Sequence, residues 1–186
     1  ISQFGKAFVD LVLETTPSLS AVLNSGITRM TYRDRYLMSP ITVLLVAEIF
    51  RELSARYGDC MAEIETAYPE PKTKSSICFA DDFESADDWR EFVGGVADTV
   101  GMTIFSEFLE KRDLPHGRGL TIVTKGRGTF RLLFDQGMGY WGYRSLYNRT
   151  RFNFRECRSE GENYQGAKVT VREGSGGTYI VIHESK

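Results

Sequence analysis

The sequence predicts an α+β fold, with helices mixed among strands in the first half and a β-rich second half. Three observations carry this reading. A long apolar helical pattern covers residues 40–57. An alternating run rich in β-branched and aromatic residues, 27–37, precedes it. After residue 102 come short strand-like runs separated by glycine-bearing turns. The chain has 186 residues, 41% of them apolar, enough to bury one sizeable core.

Taken in order, Phe4, Phe8, Leu11 and Val12 recur at helical spacing, Pro17 interrupts them, and Gly26 closes a second short apolar piece. Two short helices are expected, and residues 1–26 read as an N-terminal helical unit before one domain over 27–186. In the helix 40–57, Ser39 is the expected N-cap and Pro40 suits the first turn, where its missing N–H costs nothing. Val43, Leu44 and Leu45 fall on several faces, so this helix should be buried. Glu52 and Arg56 form an i,i+4 pair expected on the wet side, and Gly58 ends the helix. Residues 61–68 read as a strand. Residues 69–86 read as a loop holding a short strand near 77–79.

Ser85 with Asp88 resembles an acidic capping box. Trp89, Phe92, Val93, Val96 and Val100 then repeat at helical spacing. The Gly94–Gly95 pair weakens that helix and hints at close packing. The expected strands beyond it are 102–110, 118–125, 128–136, 150–157, 167–172 and 177–183, with a tight turn between Gly126 and Gly128 and a hairpin turn at 173–177.

No apolar run reaches the length of a membrane span, and no secretory leader is visible. The chain opens at Ile1 rather than Met, so it reads as a piece of a longer polypeptide. Cys60, Cys78 and Cys157 are far apart and odd in number, which argues against a disulfide framework or a zinc site. A cytoplasmic setting is the expectation, with no metal and no cofactor.

The net charge of −2 hides an asymmetry. Residues 51–110 hold five Lys and Arg against fourteen Asp and Glu, a net of −9; residues 111–158 hold eleven against three, a net of +8. The basic block is mostly arginine, whose fork matches phosphate and carboxylate. It reads either as a polyanion surface or as a block neutralised by its acidic counterpart.

With two histidines, acid–base options are few. His183 is assigned no role. His116 lies in Pro115-His116-Gly117-Arg118-Gly119-Leu120, just before a strand. A second dense segment, Phe134-Asp135-Gln136-Gly137-Met138-Gly139-Tyr140-Trp141, ends a strand with a carboxylate and an amide, then glycines, then two aromatics. A third, Arg33-Asp34-Arg35-Tyr36-Leu37, closes the strand before the buried helix. Strand ends are where sites gather in such sheets. Each also has a plain structural reading: His116 bonded to a loop carbonyl, Asp34 and Asp135 paired to arginines, Tyr140 and Trp141 closing the core.

Asp34-Arg35-Tyr36-Leu37 before an apolar helix resembles the Asp-x-Tyr-Ile junction of phospholipase D-like domains, including those at the C-terminus of MIT-domain proteins. His116-Gly117-Arg118-Gly119-Leu120 resembles their His-x-Arg-x-Ile segment. The likeness spans about residues 27–141. It implies a mixed sheet flanked by helices, with Asp34, Asp135, Gln136, Tyr140 and Trp141 lining a site. The region is also similar to C-terminal domains of DEAD/DEAH-box helicases in bacterial phage-defence loci.

Catalytic phospholipase D enzymes use His-x-Lys, usually twice. Here Arg118 replaces that lysine, the segment occurs once, and Lys125, seven residues further, does not restore it. The resemblance therefore implies a non-catalytic domain, part of a larger protein such as a helicase, binding nucleic-acid phosphate. The residues expected to do so are His116, Arg118, Arg33, Arg35, Lys125, Arg127 and Arg144. The alternatives are a phosphodiesterase or nuclease with His116 as nucleophile and Arg118 as charge stabiliser, in which a homodimer could pair two histidines, and a protein-docking module anchored by Tyr140, Trp141 and Tyr143. Helicase activity itself is excluded for this segment, because it has no GxxxxGK[ST] loop to hold ATP phosphates.

Overall fold

In the computed structural model, residues 3–69, 83, 85–126, 128–144, 168–171 and 180–185 are described. The element order is α1 (Phe4–Thr15), α2 (Pro17–Leu23), β1 (Ile27–Asp34), α3 (Pro40–Tyr57), β2 (Met61–Ala67), α4 (Ala86–Val100), β3 (Ile104–Leu109), β4 (Arg118–Thr124), β5 (Thr129–Phe134), a 3-10 turn (Gly137–Tyr140), β6 (Trp141–Arg144), β7 (Lys168–Val171) and β8 (Ile180–Ser185). A six-stranded sheet runs β3-β2-β1-β4-β5-β8, and β6 pairs with β7 in a separate two-stranded sheet. β1, β2 and β3 are parallel and linked through α3 and α4; β4, β5 and β8 run antiparallel. The fold is α+β, as the sequence predicts.

Period-two alternation puts Met30, Tyr32, Ile64, Leu120, Ile122, Phe130, Leu132 and Phe134 on the face that packs with the helices. Phe4, Phe8, Val9 and Val12 of α1 and Leu19 and Leu23 of α2 join the same core, so the first two helices share the interior of the rest. Every residue of α3 from Pro40 to Phe50 is buried. This matches the several-sided apolar pattern.

Two local expectations hold with a difference, and two are corrected. Ser39 occupies the N-cap, but its hydroxyl pairs with the Thr42 hydroxyl at 3.1 Å rather than accepting a backbone N–H. Glu52 and Arg56 do pair, at 2.7 Å, yet Arg56 also holds Asp10 of α1 at 2.6 Å, so the pair ties two helices together. A side chain at Gly94 would meet nothing within 4 Å, so this glycine reflects no close packing. β7 and β8 do not form a hairpin with each other, since each joins a different sheet.

The Ser85 cap is formed, with Asp88 N–H donating to its hydroxyl at 3.1 Å. The expected strands at 77–79 and 150–157 and the turn at 173–177 lie outside the described residues.

Candidate functional site

The pairing of β1 with β2 in parallel and with β4 in antiparallel brings the end of β1 beside the start of β4. Asp34 closes β1 and Arg118 opens β4, so two motifs more than eighty residues apart meet at one end of the two central strands. Thr66 at the end of β2 donates its hydroxyl to the Asp34 carbonyl at 2.8 Å, which locks that end.

Asp34 is buried at 4% exposure. Its carboxylate accepts from the Tyr36 backbone N–H at 2.8 Å and from the Tyr32 hydroxyl at 3.1 Å, and Arg118 Nε lies 3.4 Å away. Burial pushes its pKa up; the Tyr36 N–H, Arg118 and the Tyr32 hydroxyl act against that shift without cancelling it. Arg118 also donates from Nη1 to the Asp135 carbonyl at 2.9 Å, and its guanidinium carbon sits 5.1 Å from the centre of the Tyr36 ring. Lys111, just past β3, places its ammonium 5.8 Å from the same ring.

Gly137 makes this arrangement fit. Its φ is +57°, and a side chain there would come within 2.3 Å of Asp34 Oδ2 and 2.6 Å of Arg118 Cδ. The glycine-bearing turn therefore seats its backbone directly on the ion pair.

Arg35 donates from Nε to the Leu114 carbonyl at 2.8 Å, with Nη2 on the same oxygen, while Nη1 faces the His116 ring at 3.3 to 3.5 Å. His116 is exposed. Asp34, Arg35, Arg118, His116 and Asp135 thus gather at one strand end, with Gln136 exposed next to Asp135. Tyr140 and Trp141 are half-buried, and Trp141 packs edge-on to Phe4 at 5.2 Å against the core.

Other expected residues lie elsewhere. Arg33 points to the opposite face of the sheet, where it binds Glu65 through Nη2 at 2.8 Å and through Nε. Lys125 follows the far end of β4, where its N–H donates to the Gly26 carbonyl at 2.9 Å. Arg127 and the side chain of Arg144 lie outside the described residues. Sequence reasoning missed Tyr36 and Lys111 as members of the cluster. Tyr36 stood inside a quoted motif, but nothing local indicates that its ring is exposed.

On the opposite face, Glu63, Glu65 and Glu107 bring carboxylate oxygens within 4.8 Å of one another. Arg29 binds Glu63 and Arg33 binds Glu65. Arg29 and Arg33 thus pair with two of the three carboxylates, making a cross-strand ion-pair ladder between β1 and β2. Two of the fourteen acidic side chains of residues 51–110 are therefore held by arginines of β1.

A mixed sheet with a buried carboxylate and clustered cations at one strand end defines an α+β domain with a polar, cation-rich end. Residues 1–184 match the family described as the C-terminal domain of the DEAD/DEAH box helicase YjiV, and the chain belongs to that family. No curated protein matches it. Among the described residues, no helix is long and apolar enough to cross a membrane.

Proposed function

We propose that the chain is a non-catalytic accessory domain that holds nucleic-acid phosphate for a cytoplasmic helicase, through the strand-end cluster of Arg35, His116, Arg118 and Lys111. The observation that carries this reading is that Arg118, held beside the buried Asp34 carboxylate, and Lys111 both stand at the Tyr36 ring, with Arg35 facing the His116 ring next to them. Arginine forks bind phosphate oxygens in two-point fashion, and such contacts fix position without reading base sequence. The likeness of the His116 and Asp34 segments to phospholipase D-like motifs supports a phosphate ligand at this strand end.

The test is an anisotropy titration of the chain with labelled oligonucleotides across a salt series. Log affinity should fall with log salt at a slope of about −0.7 to −0.9 per phosphate neutralised. Arg118→Ala should cost roughly 1.5–3 kcal/mol of binding, the worth of a charge-assisted contact. Absence of binding at low salt, or binding that ignores salt, overturns the reading.

A further inference from the structure

We infer that Tyr36 is a stacking platform for an unpaired base, so that the strand-end site takes single-stranded rather than duplex nucleic acid; this rests on the phosphate-binding reading above. The ring is 51% exposed and contributes nothing to the hydrophobic core. A large aromatic held in water at the end of a strand serves packing poorly, yet its backbone is held firmly. Its N–H is bound to Asp34 Oδ1 at 2.8 Å, and the carbonyl of the next residue, Leu37, accepts from the buried Trp89 Nε1 at 2.8 Å. The ring therefore extends from a rigid mount.

Two cations stand at the ring, Arg118 at 5.1 Å and Lys111 at 5.8 Å from its centre. The closer is anchored by Asp34 and the Asp135 carbonyl. Lys111 lies near the outer limit of a cation–π contact. An exposed aromatic ring with two cations beside it suits the alternation of base and phosphate along a single strand. A duplex keeps its bases stacked inside, where this ring cannot reach them. Arg35, beside His116 at the same strand end, extends the cationic track for the next phosphate.

The experiment compares binding of a thymidine oligomer and of a blunt-ended duplex to the 186-residue chain at equal low salt, for the unaltered chain and for Tyr36→Ala, Tyr36→Phe and Lys111→Ala. The single strand should bind more tightly. Tyr36→Ala should weaken it about tenfold, in line with one base stacked on an aromatic ring, with little effect on the duplex. Tyr36→Phe should retain single-strand affinity, and Lys111→Ala should lower the salt slope by about 0.7. Because the ring is exposed, the thermal unfolding of Tyr36→Ala should match that of the unaltered chain. Equal weakening of single strand and duplex by Tyr36→Ala would mean the ring only steadies Arg118, and would overturn the inference. So would single-strand binding that Tyr36→Ala leaves unchanged, although phosphate binding would then stand. Failure of the unaltered chain to bind either polymer would remove the phosphate-binding reading and this inference with it.

Discussion

Gly137 and Asp34 are in direct contact: a Cβ at Gly137 would lie 2.3 Å from Asp34 Oδ2, and the glycine φ is +57°. Both facts forbid a side chain. Gly137→Ala is expected to destabilise the chain by about 2 kcal/mol or more, combining left-handed strain with overpacking. It should also loosen Arg118 from Asp34, which a salt-titration of oligonucleotide binding would detect. Urea unfolding measures the first effect.

The raised pKa of Asp34 gives stability a definite pH dependence. Burial is the main cause, so the folded state holds a proton on this carboxyl more tightly than the unfolded state does. Stability contributed by Asp34 is therefore greatest when it is protonated. It falls as pH rises from the unfolded value of 3.8 through the raised folded value, then levels off. Asp34→Asn should remove that slope. Asp10 behaves oppositely, because its bonds to Lys6 and Arg56 hold its pKa down. The stability it contributes is present above 3.8 and is lost as pH falls through its folded value. Unfolding curves of Asp34→Asn and Asp10→Asn across pH 2 to 7 should diverge from the unaltered chain with opposite signs.

The crossing of α1 over α3 depends on Gly5. A Cβ there would lie 2.1 Å from the Glu48 carbonyl oxygen, an atom of a buried helix that has nowhere to move. Gly5→Ala should cost roughly 1–3 kcal/mol through overpacking, despite the better helix propensity of alanine. Chemical denaturation would show the loss as a lower midpoint with an unchanged slope. A gain in stability would mean that the two helices separate readily.

The isolated chain is expected to cleave no phosphodiester. His116 faces Arg35, Arg118 is engaged with Asp34 and the Asp135 carbonyl, and the sequence offers no second histidine in a matching motif. A nucleophilic histidine needs a partner acid within reach of the leaving oxygen. A metal-free assay on DNA, RNA and a phospholipid analogue should show no turnover for the unaltered chain or for His116→Ala. Turnover that disappears in His116→Ala would promote the phosphodiesterase alternative.

Tight anchoring of the junction after β1 should also be measurable. Trp89 is fully buried and donates its indole N–H to the Leu37 carbonyl. Trp89→Phe leaves that carbonyl without its donor, so a loss of about 1–3 kcal/mol is expected in thermal or denaturant unfolding.

What the sequence determined by itself was the local skeleton. The apolar run 40–57 and the Ser85 cap formed as read, and strands formed inside the runs read at 27–37, 118–125 and 128–136, because helix and strand periods and caps are written within a few residues. The placing of the Asp34 and His116 segments in one sheet was legible too, from the strand-end junction before the buried helix. Tertiary structure alone decided the partners. Arg33 and Arg35 are two residues apart, yet one joins Glu65 on the opposite face and the other turns to Leu114 and His116 beyond the strand end. β7 went to β6 and β8 to β5, although a glycine-rich turn invited the two to pair with each other. Tyr36 became exposed beside two cations drawn from distant strand ends. Which face a side chain takes follows from strand register and from which strands pair, and those are set by burial of the shared core across the whole chain, not by the residues next to each position.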